Sequence, residues 1–278
     1  MPDLAPDQGR LVGQVKFGKN VSVGTACTLG GPEGSTRIGE GCTLESCVRI
    51  RGAVVLGRQT MVGDHVIVGH PSKVGLTGTD EALASPQVAG LLVQKPGVRI
   101  GERAVIRSHS VIYQHVEVGD HLATGHGVMI REHTRIGHRC VFGTHATCDG
   151  YSVLGDDVHV GQHAQLSQAA RIGNGVFVGG HTVFSDNPMA LRVVEEDLQG
   201  AVIDDYVRIG LGCVILPGIR VGRDAMIGAG SIVTRDIPPG VLAFGNPCRV
   251  FRKLSVEEIE QYRWTLPSPT ADCEGRDG

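Results

Sequence analysis

The sequence is poor in aromatic residues, with one Trp, four Tyr and six Phe in 278 positions. That excludes a core built from large flat side chains. Val, Ile, Leu and Ala carry the apolar content, and they suit strands and small repeated layers. Eight cysteines form no C-x-x-C pair and have irregular spacings, which leaves the common zinc and redox frameworks without a basis. There is no excess of positive charge: the formal net charge is −3, which offers no field for nucleic acid. No apolar run approaches the roughly 18 residues a spanning helix requires, and the opening MPDLAPDQGR lacks a basic-then-apolar leader pattern. The expectation is a cytoplasmic protein with no nucleic-acid or membrane partner. Walker A, H-E-x-x-H, G-x-S-x-G and strand-linked G-x-G-x-x-G patterns are also missing.

What is abundant is glycine, 41 residues of it, and a repeat. From Ile100 every sixth residue keeps one register through Ile106, Ile112, Val118, Thr124 and Ile130, and on to Phe184. Gly often follows directly, as at Gly101, Gly119, Gly137 and Gly155, and the residue two before is small or β-branched. The same grammar occupies Leu11, Phe17, Val23 and Leu29, slips by three residues, resumes from Ile38 to Val68, and returns from Ile203 to Val233. Such a period fits neither a helix nor a plain strand. It predicts a parallel β-helix in which each hexad is one short strand plus a corner, and three hexads close a triangular coil. Residues one coil apart then stack at about 4.8 Å.

The stretch GTHATCDG, residues 143–150, looks like a metal or catalytic cluster until it is placed in this frame. Cys148 falls on the inward apolar position, and Cys27, Cys42, Cys140 and Cys213 fall on the inward small position, so all five read as reduced core fillers. Eight of the twelve histidines (His65, His109, His115, His121, His133, His145, His163 and His181) fall three residues after the apolar position, at the corner. Elsewhere that slot holds Asn20, Gly41, Gly127 or Asp157, residues that tolerate left-handed backbone, so a turn role explains most of these histidines. One column stands out: His145, His163 and His181 are successive neighbours along one edge, with His109 two coils before His145. Neutral imidazoles suit general-base work. The column ends where the repeat breaks at 185–202. A second excursion spans 70–97, and loops that interrupt a regular scaffold tend to carry function.

Three stretches carry a family resemblance: TGHGVMIREHTRIG (124–137), VFVGGHTVFSDNP (176–188) and IGAGSIVTRDIPPGVLAFGNPCRVFRKL (227–254). They resemble the hexapeptide-repeat acyltransferases, most of all the branch that N-acetylates amino sugars attached to nucleotides. The resemblance implies an all-β, left-handed parallel β-helix over 11–254 with two loop insertions, an N-terminal arm over 1–10, and a C-terminal helix and tail over 255–278. It further implies a homotrimer that uses acetyl-CoA as co-substrate and a small-molecule amine as acceptor. The column supplies His181 and His163 as catalytic candidates and His145 as a substrate-binding one; the resemblance adds Asp186 as catalytic and Asn187, His126, Arg131, Glu132 and His133 as substrate-binding candidates. The CoA candidates are Gly210, Gly212, Gly228 and Ala229, where glycine permits close approach, and Arg249, Arg252 and Lys253, whose charges suit phosphates. Galactoside and xenobiotic transferases of the family carry a catalytic histidine before the proline of the loop entry; this chain has Asn187 before Pro188. The γ-class carbonic anhydrases share the fold and hold zinc with three histidines. Here His145 and His181 have the required separation, but the third position is Asp186, so no metal is expected. A γ-class carbonic anhydrase-like metalloprotein and a non-catalytic β-helical scaffold are the two alternatives.

Overall fold

The computed structural model describes residues 9–72, 97–187 and 199–263. The chain winds into a parallel β-helix with three faces. Face I is a 12-stranded sheet that includes Val141–Phe142, His159–Val160 and Phe177–Val178. The other two faces belong to one 19-stranded sheet, because the long strands Gly9–Phe17 and Cys27–Ile38 run from one face onto the next. Face II includes Thr147–Cys148, Gln165–Leu166 and Val183–Phe184, and face III includes Val153–Leu154, Arg171–Ile172 and Val202–Ile203. Pairing is parallel and 18 residues apart in the regular coils, as in Met129↔Thr147 and Val141↔His159.

Two-residue strands follow from the hexad: one side chain points in, the next out, and the chain then turns. The inward apolar residues from Leu29 to Val233 fill one continuous core. Thr124, the polar member of the register, is also buried, and its hydroxyl accepts the Arg107 N–H at 2.9 Å. Cys27, Cys42, Cys140, Cys148 and Cys213 all lie in that core. Leu11 is exposed, and Phe17 and Val23 are only partly buried, because they belong to the first coil among the described residues. The three-residue slip is a bulge: Val12 pairs with Gly30, and Gln14 already pairs with Ser35.

All eight corner histidines have φ between 54° and 65°, alongside Asn20, Asp157 and Asp224. The hexad glycine serves a different need. A Cβ on Gly137 would lie 2.3 Å from Asp156 Oδ1, and one on Gly155 would lie 2.4 Å from Asn174 Oδ1. Those side chains lean onto the coil below and accept its free amides: His138 N–H donates to Asp156 Oδ1 and Asp156 N–H to Asn174 Oδ1, both at 2.8 Å. A ladder of side-chain acceptors thus seals the corner between faces III and I.

The excursions change the register without ending the solenoid. Val54 pairs with Val98 across the first, and Arg171 pairs with Val202 across the second. Most of both excursions, residues 1–8 of the expected N-terminal arm and 264–278 of the expected tail lie outside the described residues. After face I ends in the antiparallel pair Val241–Phe244 and Arg249–Lys253, a short helix, α1 (Val256–Tyr262), closes the described chain.

Candidate functional site

The corner between faces I and II carries the histidine column. His145 and His163 stack with ring centroids 5.3 Å apart, and His163 and His181 at 4.9 Å. Lower on the same edge His65 and His109 stack at 5.1 Å. Gly127 separates the two groups: a Cβ there would sit 2.5 Å from His145 Nδ1, so the His145 imidazole occupies the room that glycine leaves. His145, His163 and His181 are all exposed, and His126 is exposed just below His145. Their backbones are fixed by corner hydrogen bonds, with His163 N–H to Thr144 O at 3.0 Å and His181 N–H to Gln162 O at 2.9 Å.

Above His181 the column loses its side chains. Gly212 and Gly230 take the next two corner positions at φ 65° and 69°, and a Cβ added to either would meet nothing within 4 Å. Their own amides are held, Gly212 N–H to Gly180 O at 2.9 Å and Gly230 N–H to Leu211 O at 2.8 Å. The amides of Gly180, Leu211 and Ala229 donate to no group among the described residues, because no acceptor side chain leans onto this corner from above. The result is an open shelf of backbone donors, bounded by Gly210 and Gly228, directly above the imidazoles.

The other expected site residues sit one corner further on, between faces II and III, with the strand Val183–Phe184 between His181 and Asp186. There Asp186 Oδ2 accepts the Gln168 N–H at 3.1 Å, in the manner of the acceptor ladder, and Asn187 follows it, partly buried. Arg131 and Glu132 face each other, Nη2 to Oε1 at 2.8 Å and Nε to Oε2 at 3.2 Å, and the Glu132 carboxylate is almost wholly buried. Burial pulls the Arg131 guanidinium down, but the hydrogen bond and charge of Glu132 outweigh it and leave it raised. His133 stacks between His115 at 4.6 Å and Tyr151 at 5.1 Å. The structure therefore sets His145, His163 and His181 on one edge with Gly210, Gly212, Gly228 and Ala229, and places Arg131, Glu132 and His133 on the next edge, three coils below Asp186 and Asn187.

Sequence reasoning passed over Asp149 at that second corner. Burial pushes its carboxyl up, opposed by the Gln165 amide at 3.2 Å and by Arg131, with Asp186 and Glu132 adding like charge. The available signal was an aspartate directly after an inward residue, where this repeat usually places glycine.

At the C-terminal end, Arg252 is occupied by Glu258, at 2.6 and 2.8 Å. Arg249 donates only to its neighbour's carbonyl, Cys248 O, and the Lys253 ammonium has no partner among the described residues. Beside them Phe244 and Phe251 form an exposed aromatic pair at 5.1 Å, and Phe244 Cβ lies against Gly228. Among the described residues no group of three His, Cys, Asp or Glu side chains converges as a metal ion requires. No described helix is long and apolar enough to cross a membrane.

This architecture defines a β-helix of hexapeptide repeats with an exposed imidazole column under a glycine shelf. Residues 200–235 match the family model described as the hexapeptide repeat of succinyl-transferase. Over these coils the chain is similar to the hexapeptide-repeat acyltransferases. It is 48% identical over 60 residues to a galactoside O-acetyltransferase of Lactococcus lactis, covering 22% of this chain and 29% of that protein. It is likewise 48% identical over 54 residues to the 2,3,4,5-tetrahydropyridine-2,6-dicarboxylate N-acetyltransferase of Staphylococcus aureus, covering 19% of this chain and 23% of the relative. The matched stretch thus spans less than a third of either relative. Among solved structures, the UDP-N-acetylglucosamine acyltransferase of Arabidopsis aligns over 94% of this chain and 77% of its own, with a TM-score of 0.52 and 18% identity, a likeness of fold.

Proposed function

We propose that this protein is an acyl-CoA-dependent N-acyltransferase, moving an acetyl group from acetyl-CoA to an amine on a nucleotide-linked amino sugar or a similar small molecule. The observation that carries the reading is the shelf of free amides above His181. A thioester lying along bare backbone at Gly212 and Gly230 meets the N–H groups of Gly180, Leu211 and Ala229, donors of the kind that stabilise the oxygen of a tetrahedral intermediate. An amine that has lost its proton is already nucleophilic, so its nitrogen attacks the thioester carbon, the C–N bond forms, the C–S bond breaks, and the surplus proton must be accepted. His181, the imidazole nearest the shelf, is the acceptor in this reading, with His163 one coil below it. Arg249 and Lys253, with the exposed Phe244–Phe251 pair, suit the phosphates and adenine of CoA. The relatives named for acetyl transfer add support.

The assembly belongs to the same proposal. Faces I and II turn Val141, Phe177 and Met226, and Met129, Val183 and Val214, outward, whereas face III turns out Arg135, Arg171 and Arg220 with valines between them. A closed homotrimer that covers both apolar faces sets the histidine corner of one subunit against a neighbour. Light scattering should then give three times the chain mass; a monomer at micromolar concentration contradicts the shared site.

The activity is tested by incubating the protein with acetyl-CoA and a panel of amines, nucleotide-linked amino sugars among them, beside their hydroxyl counterparts, and following release of free thiol. Release with at least one amine and not with its hydroxyl counterpart is expected. Release with the hydroxyl compounds alone would move the reaction to O-acyl transfer, and none with any acceptor would remove the enzyme reading.

A further inference from the structure

Face III does not border the histidine corner, and it has a different outward surface. From Arg135 upward its outward residues stand in register as Arg135, Val153, Arg171, Val202 and Arg220. Alternation with valine holds successive guanidiniums two coils apart, about 10 Å, instead of stacking like charges at about 4.8 Å.

Between Arg171 and Arg220 lies an open groove of about 390 Å³, floored by Val202 and reached from the adjoining corner by Arg223. Two of its three guanidiniums are fixed by carboxylates. Arg220 Nε and Nη2 bind Asp204 at 3.2 and 2.8 Å, and Arg223 Nη2 binds Asp205 at 2.6 Å. Each keeps further N–H groups for another acceptor: Nη1 on Arg220, and Nε and Nη1 on Arg223.

Arg171 is different. Its guanidinium makes no hydrogen bond or ion pair among the described residues. It is nevertheless partly buried, and burial alone pulls it down, with no carboxylate to raise it as Glu132 raises Arg131. A partly buried cation whose five donors are unused among the described residues is costly unless an anion completes it.

We propose that this groove is a binding site for a phosphate-type anion, held by Arg171 and by the outward N–H groups of Arg220 and Arg223. Asp204 and Asp205 orient the two flanking guanidiniums and leave the groove one positive charge in excess, which suits a single phosphate or diphosphate group borne by a small molecule. The site is independent of the thioester shelf and does not rest on the acyl-transfer reading.

Calorimetric titration of the full-length protein with inorganic phosphate, and separately with pyrophosphate, at low ionic strength tests it. Binding of at least one anion with a dissociation constant of about 1 mM or tighter is expected. Arg171→Ala and Arg171→Gln should each weaken it by about tenfold or more, as loss of a charge-assisted contact does, and should leave the melting temperature close to that of the parent. Arg249→Ala with Lys253→Ala should leave the Arg171-dependent part of the binding in place. Equal binding in the Arg171 variants, loss of all binding in the tail variant, or no binding of either anion by the parent protein each overturns the proposal.

Discussion

His121 holds φ at 62° because a corner of the coil needs left-handed backbone there, whatever the imidazole does. A β-branched residue pays the clash of Cβ with the following carbonyl, and glycine does not. His121→Val should therefore be less stable than His121→Gly by about 1–2 kcal/mol in chemical denaturation. Equal midpoints would mean that the imidazole, not the backbone, is what the corner requires. The buried thiols give a second residue-level expectation. Burial pushes Cys140 and Cys148 from 9.0 up to about 12. The unfolded chain releases those protons first, so their contribution to stability is fully present below pH 9.0 and is lost as pH rises toward 12. The denaturation midpoint of the parent should fall over that range more steeply than that of Cys140→Ala, and a parallel fall would refute the assignment. Left-handed corners and inward cysteines were legible because the hexad numbers every position. The hexad glycine was legible only as a position; its steric reason, the Asp156 or Asn174 side-chain oxygen leaning from the coil above, needs the stacked coils to be seen.

At the scale of elements, α1 has only seven residues, none of them buried, and a capping box in which Glu258 N–H donates to Ser255 Oγ at 3.2 Å and Ser255 N–H to Glu258 Oε2 at 2.9 Å. So short a helix is marginal by itself. Two arginines hold it to face I. Arg208 donates through Nε and Nη2 to Tyr262 O, and Arg263 binds Asp224 at 2.8 and 2.6 Å while lying over the Tyr206 ring at 5.0 Å. Arg208→Ala combined with Arg263→Ala should open the chain to limited proteolysis after residue 253 and leave the solenoid resistant; cleavage no faster than in the parent would show that the arginines do not hold the helix. The helix was readable in SVEEIEQYRW. The engagement of Arg252 by Glu258 was not, because a run of cations shows charge without showing partners. The same limit applies to Asp186: five residues after His181 in sequence, it lies across a strand at the next corner, and only the coil geometry separates the two.

Over the whole molecule, the fold was almost fully written in the six-residue period, which fixes strand, corner and core together. The site was legible in part. The histidine column and its continuation into glycine follow from the same register, whereas the burial of Asp149 beside Gln165 and the pairing of Phe244 with Phe251 emerge only from the folded coils. If CoA lies along the shelf toward the tail, Arg249→Ala with Lys253→Ala should raise its KM by about tenfold or more and leave kcat near the parent value. An unchanged KM would place the adenosine end elsewhere.

The most direct test of the histidine corner as the reaction centre is kcat for amine acetylation by His181→Ala, compared with the parent under saturating acetyl-CoA. The account predicts a fall of about 10²–10⁴-fold with CoA affinity little changed, as removal of the proton acceptor requires. A loss of only a few-fold in His181→Ala and in His163→Ala, with the acidic limb of the pH profile intact in both, would contradict it, because the proton would then be leaving without help from the column.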